Sequence, residues 1–367
     1  MHSNRNRRRN LAVAITGITA AVTLVGCAAA APSGSSAINV DNNKKVHIAL
    51  ALVSASLPFA EETRKGAEAA AKQFNVQLDV IGPPIIDPPT AISQVENALS
   101  TGVDGIAIAD EPATLWTRAL KDADGKTNGN VVTFNTIPVK GSPVTSYVGI
   151  DAADYGTDVA NETVKASGVD KNITGDVLVG DCFPGSEPLA ITSNAVVARL
   201  KQLLPKADVL PFFDSKITPA DNSAAWEHAI AAHPNTVLTI DTCDQGGDSM
   251  LKAKQQSGMD FAIGTVQTSP NILAAIKSGQ VAVAVPQHNY VVGYTVIRML
   301  ADAIRSGKKL PQGWIDPGYT AVTKANVAAA VERDSGDAGL ATFYKPVVSA
   351  LWNDLGSVTK PLSEVQK

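Results

Sequence analysis

The sequence lacks hydrophobic runs long enough to span a membrane, clusters of basic residues beyond its first ten positions and closely spaced cysteines, and each absence argues against a class of protein. A mean hydropathy of +0.05 leaves no set of apolar spans for a polytopic membrane protein. The 31 Lys and Arg residues are outnumbered by 35 Asp and Glu residues, so nucleic acid is not expected as a partner. The three cysteines form no Cys-x-x-Cys pair and no cluster with His, so neither thiol redox chemistry, a metal site nor a cofactor is expected.

The composition that remains favours a folded α/β protein with two domains. Hydrophobic residues make up 45% of the chain and charged residues 18%, which is too apolar for a disordered protein. The length of 367 residues exceeds what a single hydrophobic core usually organises. Two domains of ordinary size are therefore predicted.

The first thirty residues have the pattern of an export signal. Four arginines between positions 5 and 9 precede an uncharged stretch at 11–26, which is too short for a membrane span but suits a signal-peptide core. The stretch ends in a Leu-Val-Gly-Cys motif that resembles the lipobox of bacterial lipoproteins. We therefore predict a signal peptide over residues 1–26, a lipid on Cys27 and a flexible tether over 27–44. Such a protein is exported and attached to the outer face of the cell membrane; twin-arginine export, suggested by Arg8 and Arg9, is an alternative route.

Short β-rich runs alternate with helical segments along the rest of the chain, in two successive sets. The predicted strands of the first set cover 46–53, 76–81, 105–109, 131–135 and 147–150, and those of the second cover 176–179, 209–213, 237–240, 261–264 and 281–285. Helices are predicted over 59–74, 91–99, 190–204, 223–232, 248–257 and 271–277. This alternation predicts two doubly wound parallel-sheet lobes with a ligand cleft at the carboxyl ends of their strands.

One more amphipathic helix is predicted near the C terminus. Val347, Ala350, Leu351 and Leu355 recur on one face, and Trp352 lies beside them. We expect this helix to pack on the second lobe and to have a structural role.

Polar side chains without positive charge follow the predicted strands. The candidate ligand-binding residues are Ser54, Asp110, Glu111, Asn135, Thr136 and Asp151 in the first half and Ser186, Glu187, Asp241, Thr242, Asp244, Gln267 and Gln287 in the second, with Phe59 and Phe183 as apolar platforms. Because Lys and Arg are absent from these positions, an anionic ligand would lack its usual cationic partner. The expected ligand is a neutral sugar or polyol, and a cationic amine is the alternative.

A series of motifs follows in a fixed order between Lys45 and Ala328. They are Val53-Ser54 before Pro58-Phe59, Asp104-Gly105-Ile106 before Asp110, Val131-Val132-Thr133-Phe134-Asn135, Val148-Gly149-Ile150-Asp151 with Gly156, Ala232-His233-Pro234, and Gln287 before Gly293. In this order they resemble the type I periplasmic binding proteins of the ribose-binding kind. The family's sugar binders commonly carry two arginines at positions where this chain has Thr136 and Ala190.

The resemblance implies a fold, a partner and a set of contacts. It implies two lobes joined by a three-strand hinge, the first formed by residues 45–150 and 288–317 and the second by 151–287 and 318–367. A disulfide between Cys182 and Cys243 is expected because the first and third strands of such a sheet are neighbours. The partner implied is an ABC permease, and the protein is expected to be a monomer. The ligand contacts carried over are Ser54, Phe59, Asp110, Asn135, Thr136, Thr242, Gln267 and Gln287.

Two rival functions remain at this stage. An exported enzyme would use an acidic pair such as Asp110 and Glu111 as acid and base, but no nucleophile elbow, P-loop or dinucleotide fingerprint completes a site. A ligand-presenting subunit of a membrane sensor would have the same sequence features as a transport protein. The sequence therefore favours a binding protein and leaves the transport and sensing partners as alternatives.

Overall fold

The computed structural model describes residues 45–366, which contain two parallel β-sheets with helices on both faces. The predicted signal peptide, Cys27 and the predicted tether lie outside the described residues. Within 45–366, no helix has both the length and the apolar character needed to cross a membrane.

The strands and helices alternate along most of the described chain. The strands are β1 (Val46–Ala51), β2 (Val76–Ile81), β3 (Gly105–Ile108), β4 (Val131–Phe134), β5 (Ser146–Val148), β6 (Asp176–Asp181), β7 (Asp208–Val209), β8 (Phe213–Asp214), β9 (Thr236–Asp241), β10 (Ala262–Thr265), β11 (Val283–Ala284), β12 (Gly313–Ile315) and β13 (Thr359–Lys360). The α-helices are α1 (Pro58–Gln73), α2 (Pro88–Ser100), α3 (Thr117–Lys126), α4 (Ala152–Ser167), α5 (Glu187–Leu203), α6 (Pro219–Ala232), α7 (Gly246–Ser257), α8 (Pro270–Ser278), α9 (Asn289–Ser306), α10 (Val327–Arg333), α11 (Asp337–Asn353) and α12 (Leu355–Val358).

Each sheet is the centre of one lobe. The first has the order β13-β12-β5-β4-β3-β1-β2, and the second has the order β11-β10-β9-β6-β7 with β8 also pairing with β6. All pairs are parallel except β12 with β13. One hydrophobic cluster joins the first sheet to α1 and α9, and another joins its opposite face to α2 and α3. The second sheet likewise has a cluster on each face, so the predicted doubly wound α/β class is confirmed.

Helix boundaries follow local sequence signals. Asp87, Thr218 and Ser269 each accept a hydrogen bond from a backbone N–H in the first turn of α2, α6 and α8, and a proline follows each of them at the start of the helix. Gly258 and Gly279 end α7 and α8 in the left-handed conformation that glycine adopts without strain. The side-chain caps at Asp87, Thr218 and Ser269 fix where the loops that follow β2, β8 and β10 end.

Helices α1 and α9 touch through two glycines. A Cβ at Gly66 would lie 1.9 Å from the Tyr290 carbonyl oxygen, and one at Gly293 would lie 1.8 Å from the Thr63 carbonyl oxygen. No larger residue fits either position without moving a backbone. This close contact fixes the N-terminus of α1 against the start of α9.

The strand pattern departs from the prediction in two places. Residues 209–213 were predicted as one strand, but the chain forms the separate short strands β7 and β8 there. Strands β12 and β13 add two members to the first sheet beyond the five predicted. Both are too short, at three and two residues, to show a strand periodicity in the sequence.

The C-terminal segment does not belong wholly to the second lobe, so that part of the predicted boundary 318–367 is wrong. Helix α10 packs in the second lobe through Val327 and Ala330. Helix α11 instead inserts Leu340, Tyr344 and other side chains into the core of the first lobe, and β13 pairs with β12. An amphipathic face shows that a helix is covered but carries no information about which of two similar lobes covers it.

The described chain passes between the lobes at four places. Three lie near the positions expected from the resemblance: between β5 and α4, between β11 and α9, and after β12, where residues 319 and 322 bridge back to 287 and 284. A fourth follows at residues 334–336, between α10 and α11. The second and third crossings run side by side, since the His288 N–H donates to the Gly318 carbonyl at 3.0 Å.

Candidate functional site

A cleft lies between the strand ends of the two lobes. The cavity in it has a volume of about 170 Å³ and is lined from both lobes, for example by Leu57 and Asn135 on one side and Thr242 and Gln267 on the other. A cavity of roughly 150 Å³ holds a single benzene ring. The cleft as described therefore matches one small solute.

Nine of the fifteen residues proposed from the sequence line this cavity. They are Phe59, Glu111, Asn135, Phe183, Ser186, Thr242, Asp244, Gln267 and Gln287. Parallel strands bring them together, because each residue follows the carboxyl end of a strand whose neighbours end at the same edge. Within residues 45–366, the side chains that line the cavity include no Lys, Arg or His.

Three of the proposed residues do not line the cavity but form hydrogen bonds that support the loops around it. The Ser54 hydroxyl donates to the Pro84 carbonyl at 3.1 Å. The Thr136 hydroxyl donates to Glu111 Oε2 at 3.4 Å. The Asp151 carboxylate accepts the backbone N–H groups of the first turn of α4. Sequence position at a strand end does not distinguish these supporting roles from ligand contact.

Asp241 and Glu187 also lie away from the cavity lining. Asp241 is fully buried, and its carboxylate accepts the Trp226 indole N–H at 2.6 Å and the Cys243 backbone N–H at 2.9 Å. Burial raises the pKa of Asp241 to about 6, and these hydrogen bonds oppose the rise. Asp241 thus positions the loop that carries Thr242, whereas Glu187 is exposed in the first turn of α5.

Asp110 has the most unusual environment of the proposed residues. Its side chain is fully buried and does not line the cavity, and neither carboxylate oxygen has a hydrogen-bond partner among the described residues. Burial raises the pKa of Asp110 well above its ordinary range, and the Glu111 carboxylate raises it further. Asn135 does line the cavity, and its side-chain oxygen is also buried without a hydrogen-bond partner among the described residues. Unpaired buried acceptors destabilise a protein unless a donor is supplied.

Two contacts join the lobes across the cleft. The Phe59 backbone N–H, in the first turn of α1, donates to Asp244 Oδ2 of the second lobe at 3.3 Å. Burial raises the pKa of Asp244 to about 6, and this hydrogen bond opposes the rise. Burial also raises the pKa of Glu111, whereas a hydrogen bond from Ser186 across the cleft lowers it. The described conformation is therefore one in which the lobes are in contact.

The apolar residues of the cavity wall were not predicted from the sequence. Leu57, Ile86 and Ile137 line it from the first lobe, and Leu189, Ile217 and Val266 line it from the second. They lie in or beside the same strand-end loops as the polar residues, and this position is the signal that the sequence offers. Position does not separate an aliphatic ligand contact from an aliphatic core residue, because both are apolar side chains next to a strand end.

The predicted disulfide between Cys182 and Cys243 is present and forms part of the cavity wall. It joins the loops that follow β6 and β9, which are neighbouring strands. Ser193 lies behind these loops, where it donates to Asp181 at 3.0 Å and shares a hydrogen bond of 2.8 Å with Thr242. The second-lobe wall of the cleft is thus held by both a covalent bond and a buried polar network.

The residues present do not form a metal centre. Within the described part of the chain, no group of three His, Cys, Asp or Glu side chains is arranged to hold a metal ion. The chemistry of the cavity is therefore that of hydrogen-bond acceptors, amides and apolar walls.

Comparison with known proteins places this geometry in a family. The family model described as a periplasmic binding protein domain matches residues 48–309. No curated protein matches the chain in sequence.

Solved structures share the fold at low sequence identity. The glucose-galactose binding protein GanP of Geobacillus stearothermophilus is 20% identical with a TM-score of 0.66, over 77% of this chain and 99% of its own. The arabinose binding protein AraP of the same organism is 23% identical with a TM-score of 0.64, over 77% and 98%. A periplasmic solute binding protein of an ABC transporter from Actinobacillus succinogenes, with bound D-allose, is 17% identical with a TM-score of 0.68, over 77% and 99%. The chain therefore belongs to the periplasmic binding protein family, as its resemblance to the type I, ribose-binding kind predicted.

Proposed function

We propose that this protein is an exported solute-binding lipoprotein of an ABC importer and that it captures a small neutral polyhydroxyl ligand, a sugar or a polyol. The observation that carries the proposal is the imbalance of hydrogen-bonding groups at the cleft. Asn135, Glu111 and Asp244 line the cavity, and the Asn135 side-chain oxygen and Glu111 Oε1 have no hydrogen-bond partner among the described residues. Both oxygens of Asp110, the residue before Glu111, are also unpaired, and no cationic side chain lines the cavity within 45–366.

A polyhydroxyl ligand satisfies this site better than an anion. Each hydroxyl donates one hydrogen bond and accepts others, so several acceptors are satisfied by one small molecule. Hydrogen bonds to charged acceptors contribute about 1.5–3 kcal/mol each. An anionic ligand would bring a second negative charge next to buried carboxylates with no Arg or Lys to offset it.

The solved relatives support the same ligand class. They are a glucose-galactose binding protein, an arabinose binding protein and a solute binding protein with bound D-allose, and all of these ligands are neutral sugars. The apolar wall fits the C–H faces of such molecules, and Phe59 and Phe183 offer flat surfaces to them.

Capture would proceed by closure of the lobes. A ligand bound between two lobes contacts both in the closed state, so its binding free energy shifts the equilibrium from open to closed. The Phe59 N–H contact with Asp244 would form at closure and exclude solvent from one side of the cleft. The closed lobes would then present a joint surface to the permease.

A thermal-shift screen against neutral sugars and polyols tests the proposal. A ligand at a hundredfold excess over its dissociation constant adds about 2.7 kcal/mol to the free energy of unfolding. We expect at least one neutral compound to raise the melting temperature in proportion to the logarithm of its concentration. If sugar phosphates or sugar acids were the compounds that stabilise the protein, the proposal would be wrong.

A cationic amine is the second candidate, and the same carboxylates favour it. Glu111 and Asp244 line the cavity without a positive partner there among the described residues, and an ammonium group would supply that charge. Amines therefore belong in the screen. If amines raise the melting temperature more than polyols do, the ligand is an amine and not a polyol.

The lipid anchor is tested by replacing its acceptor. In the Cys27→Ser variant the lipid has no thiol to attach to, so we expect most of the protein to leave the membrane fraction while ligand binding stays unchanged. The measurement is immunoblotting of membrane and soluble fractions, with Cys182→Ser and Cys243→Ser together as the control that leaves Cys27 intact. Retention of the Cys27→Ser protein in the membrane fraction would contradict lipidation at this residue.

A further inference from the structure

The fourth crossing between the lobes joins them close to the cleft. Residues 334–336 connect α10, which packs in the second lobe, to α11, which packs in the first. Three residues span at most about 10 Å when fully extended. The family model ends at residue 309, before this connection begins.

Arg333 binds the second-lobe end of the crossing to its surroundings through hydrogen bonds. It is the last residue of α10 and is 2% exposed. Its Nε–H donates to Asp334 Oδ1 at 2.6 Å, and its Nη2 donates to the Thr268 hydroxyl, which belongs to the loop after β10. Its guanidinium also lies 5.7 Å from the ring centroid of Phe343 on α11. One buried cation therefore contacts both sides of the crossing.

Tyr344, on the first-lobe side of the crossing, contacts both the hinge and α1. It is fully buried, and its hydroxyl donates to Glu62 Oε1 on α1 at 2.8 Å. Its ring stacks on Tyr290 at 5.3 Å and meets the His288 ring edge-on at 5.2 Å. Helix α11 thus rests directly on the second crossing.

His288 extends this contact to the third crossing. Burial lowers the pKa of His288 to about 4, so the ring is neutral near pH 7. Its Nδ1–H donates to the Pro317 carbonyl at 2.8 Å, and its Nε2 accepts from the Thr320 hydroxyl at 2.7 Å. The second, third and fourth crossings are therefore packed together through Tyr344 and His288.

We propose that the connection at 334–336 is a restraining tether that limits how far the lobes open. Opening must withdraw the N-terminus of α1 from Asp244, and α1 is bound to α11 through Glu62 and Tyr344. The three-residue connection then limits the separation between α11 and α10. The tether holds the ligand-free protein in a more closed range of conformations than three hinge crossings alone would. The consequence for affinity rests on the proposed function, since a larger fraction of closed protein lowers the apparent dissociation constant.

Cutting the tether after folding tests this inference. A recognition sequence for a site-specific protease is inserted between Ser335 and Gly336, and the matched control carries the same insertion after Gly141, in the exposed loop between two strands of the first lobe. Spin labels are placed at Glu96→Cys on α2 and Gln255→Cys on α7, which are exposed positions on different lobes. The chain also carries Cys27→Ser, so that no other free thiol is labelled. Distances between the labels are measured by pulsed electron paramagnetic resonance without ligand, before and after cleavage.

We expect cleavage at the tether to broaden the distance distribution and shift its mean, and cleavage at the control site to leave it unchanged. An Arg333→Gln variant, which keeps the chain intact, is expected to shift the distances in the same direction by less. Because the inserted sequence itself lengthens the connection, the reference is the same labelled chain without the insertion. Identical distributions for that chain and for the cleaved chain, with the circular dichroism spectrum retained, would overturn the inference. Because no ligand is present, this result does not depend on whether a sugar or polyol binds. If a sugar or polyol does bind, its apparent dissociation constant should rise by the same factor by which the closed fraction of the protein falls.

Discussion

Replacing Cys182 and Cys243 together by serine is expected to lower the free energy of unfolding by about 4 kcal/mol. The bond closes a loop with a sequence separation of 61 residues, and the loss of chain entropy in the unfolded state grows with loop length. The measurement is unfolding by guanidinium chloride, followed by circular dichroism. We also expect weaker ligand binding, because both cysteines form part of the cavity wall.

Reduction of the wild-type protein is the control for the serine substitutions. A reductant such as dithiothreitol should shift the unfolding midpoint of the wild type toward that of the double variant and should not affect the variant. Equal midpoints for the oxidised wild type and the double variant would show that the disulfide does not stabilise the second lobe.

Replacing Asp110 by valine is expected to weaken ligand binding by about fivefold to 150-fold while making the ligand-free protein more stable. In the proposed site the Asp110 carboxyl group makes up to two hydrogen bonds with the ligand, and because burial raises its pKa, each bond is given the value of a neutral group, about 0.5–1.5 kcal/mol. The gain in stability follows because both oxygens of this buried carboxyl group are unpaired without ligand and removing such a group relieves about 1–3 kcal/mol. Calorimetric titration and chemical unfolding measure the two effects.

Asp181 offers a matched control for this variant. It is an equally buried aspartate at the end of β6, but the Phe183 N–H and the Ser193 hydroxyl donate to its carboxylate at 2.9 and 3.0 Å. Asp181→Val should therefore destabilise the protein, the opposite sign from Asp110→Val. Full affinity in the Asp110→Val variant would remove Asp110 from the binding site.

The sequence predicted the architecture well because each lobe repeats strong local signals. The β-rich run 76–81 became a strand with the same bounds, and the predicted helix over 271–277 lies within α8. The order of the motifs was enough to identify the family. Strand β13 carried no comparable signal, because it has only two residues and is defined by its pairing with β12, not by a local sequence pattern.

The site was predicted less completely, for two physical reasons. Most residues at strand ends were identified by their polarity. Polarity does not reveal whether a side chain lines the cavity, as Glu111 and Thr242 do, or supports a loop, as Asp241 does. Apolar contacts such as Ile217 look like ordinary core residues in the sequence. The side to which α11 packs was decided by long-range contacts of Tyr344 with Glu62 and His288, which no local pattern encodes.

The proposed function depends most on selection by the cleft of a ligand that has many hydrogen-bond donors and no negative charge. Isothermal titration calorimetry with three molecules built on the carbon skeleton selected in the thermal-shift screen tests it directly: the neutral polyol, the acid with a terminal carboxylate, and the amine with a terminal ammonium group. We expect the neutral molecule to bind and the acid to bind at least tenfold more weakly or not at all. Tighter binding of the acid than of the neutral molecule would contradict this expectation.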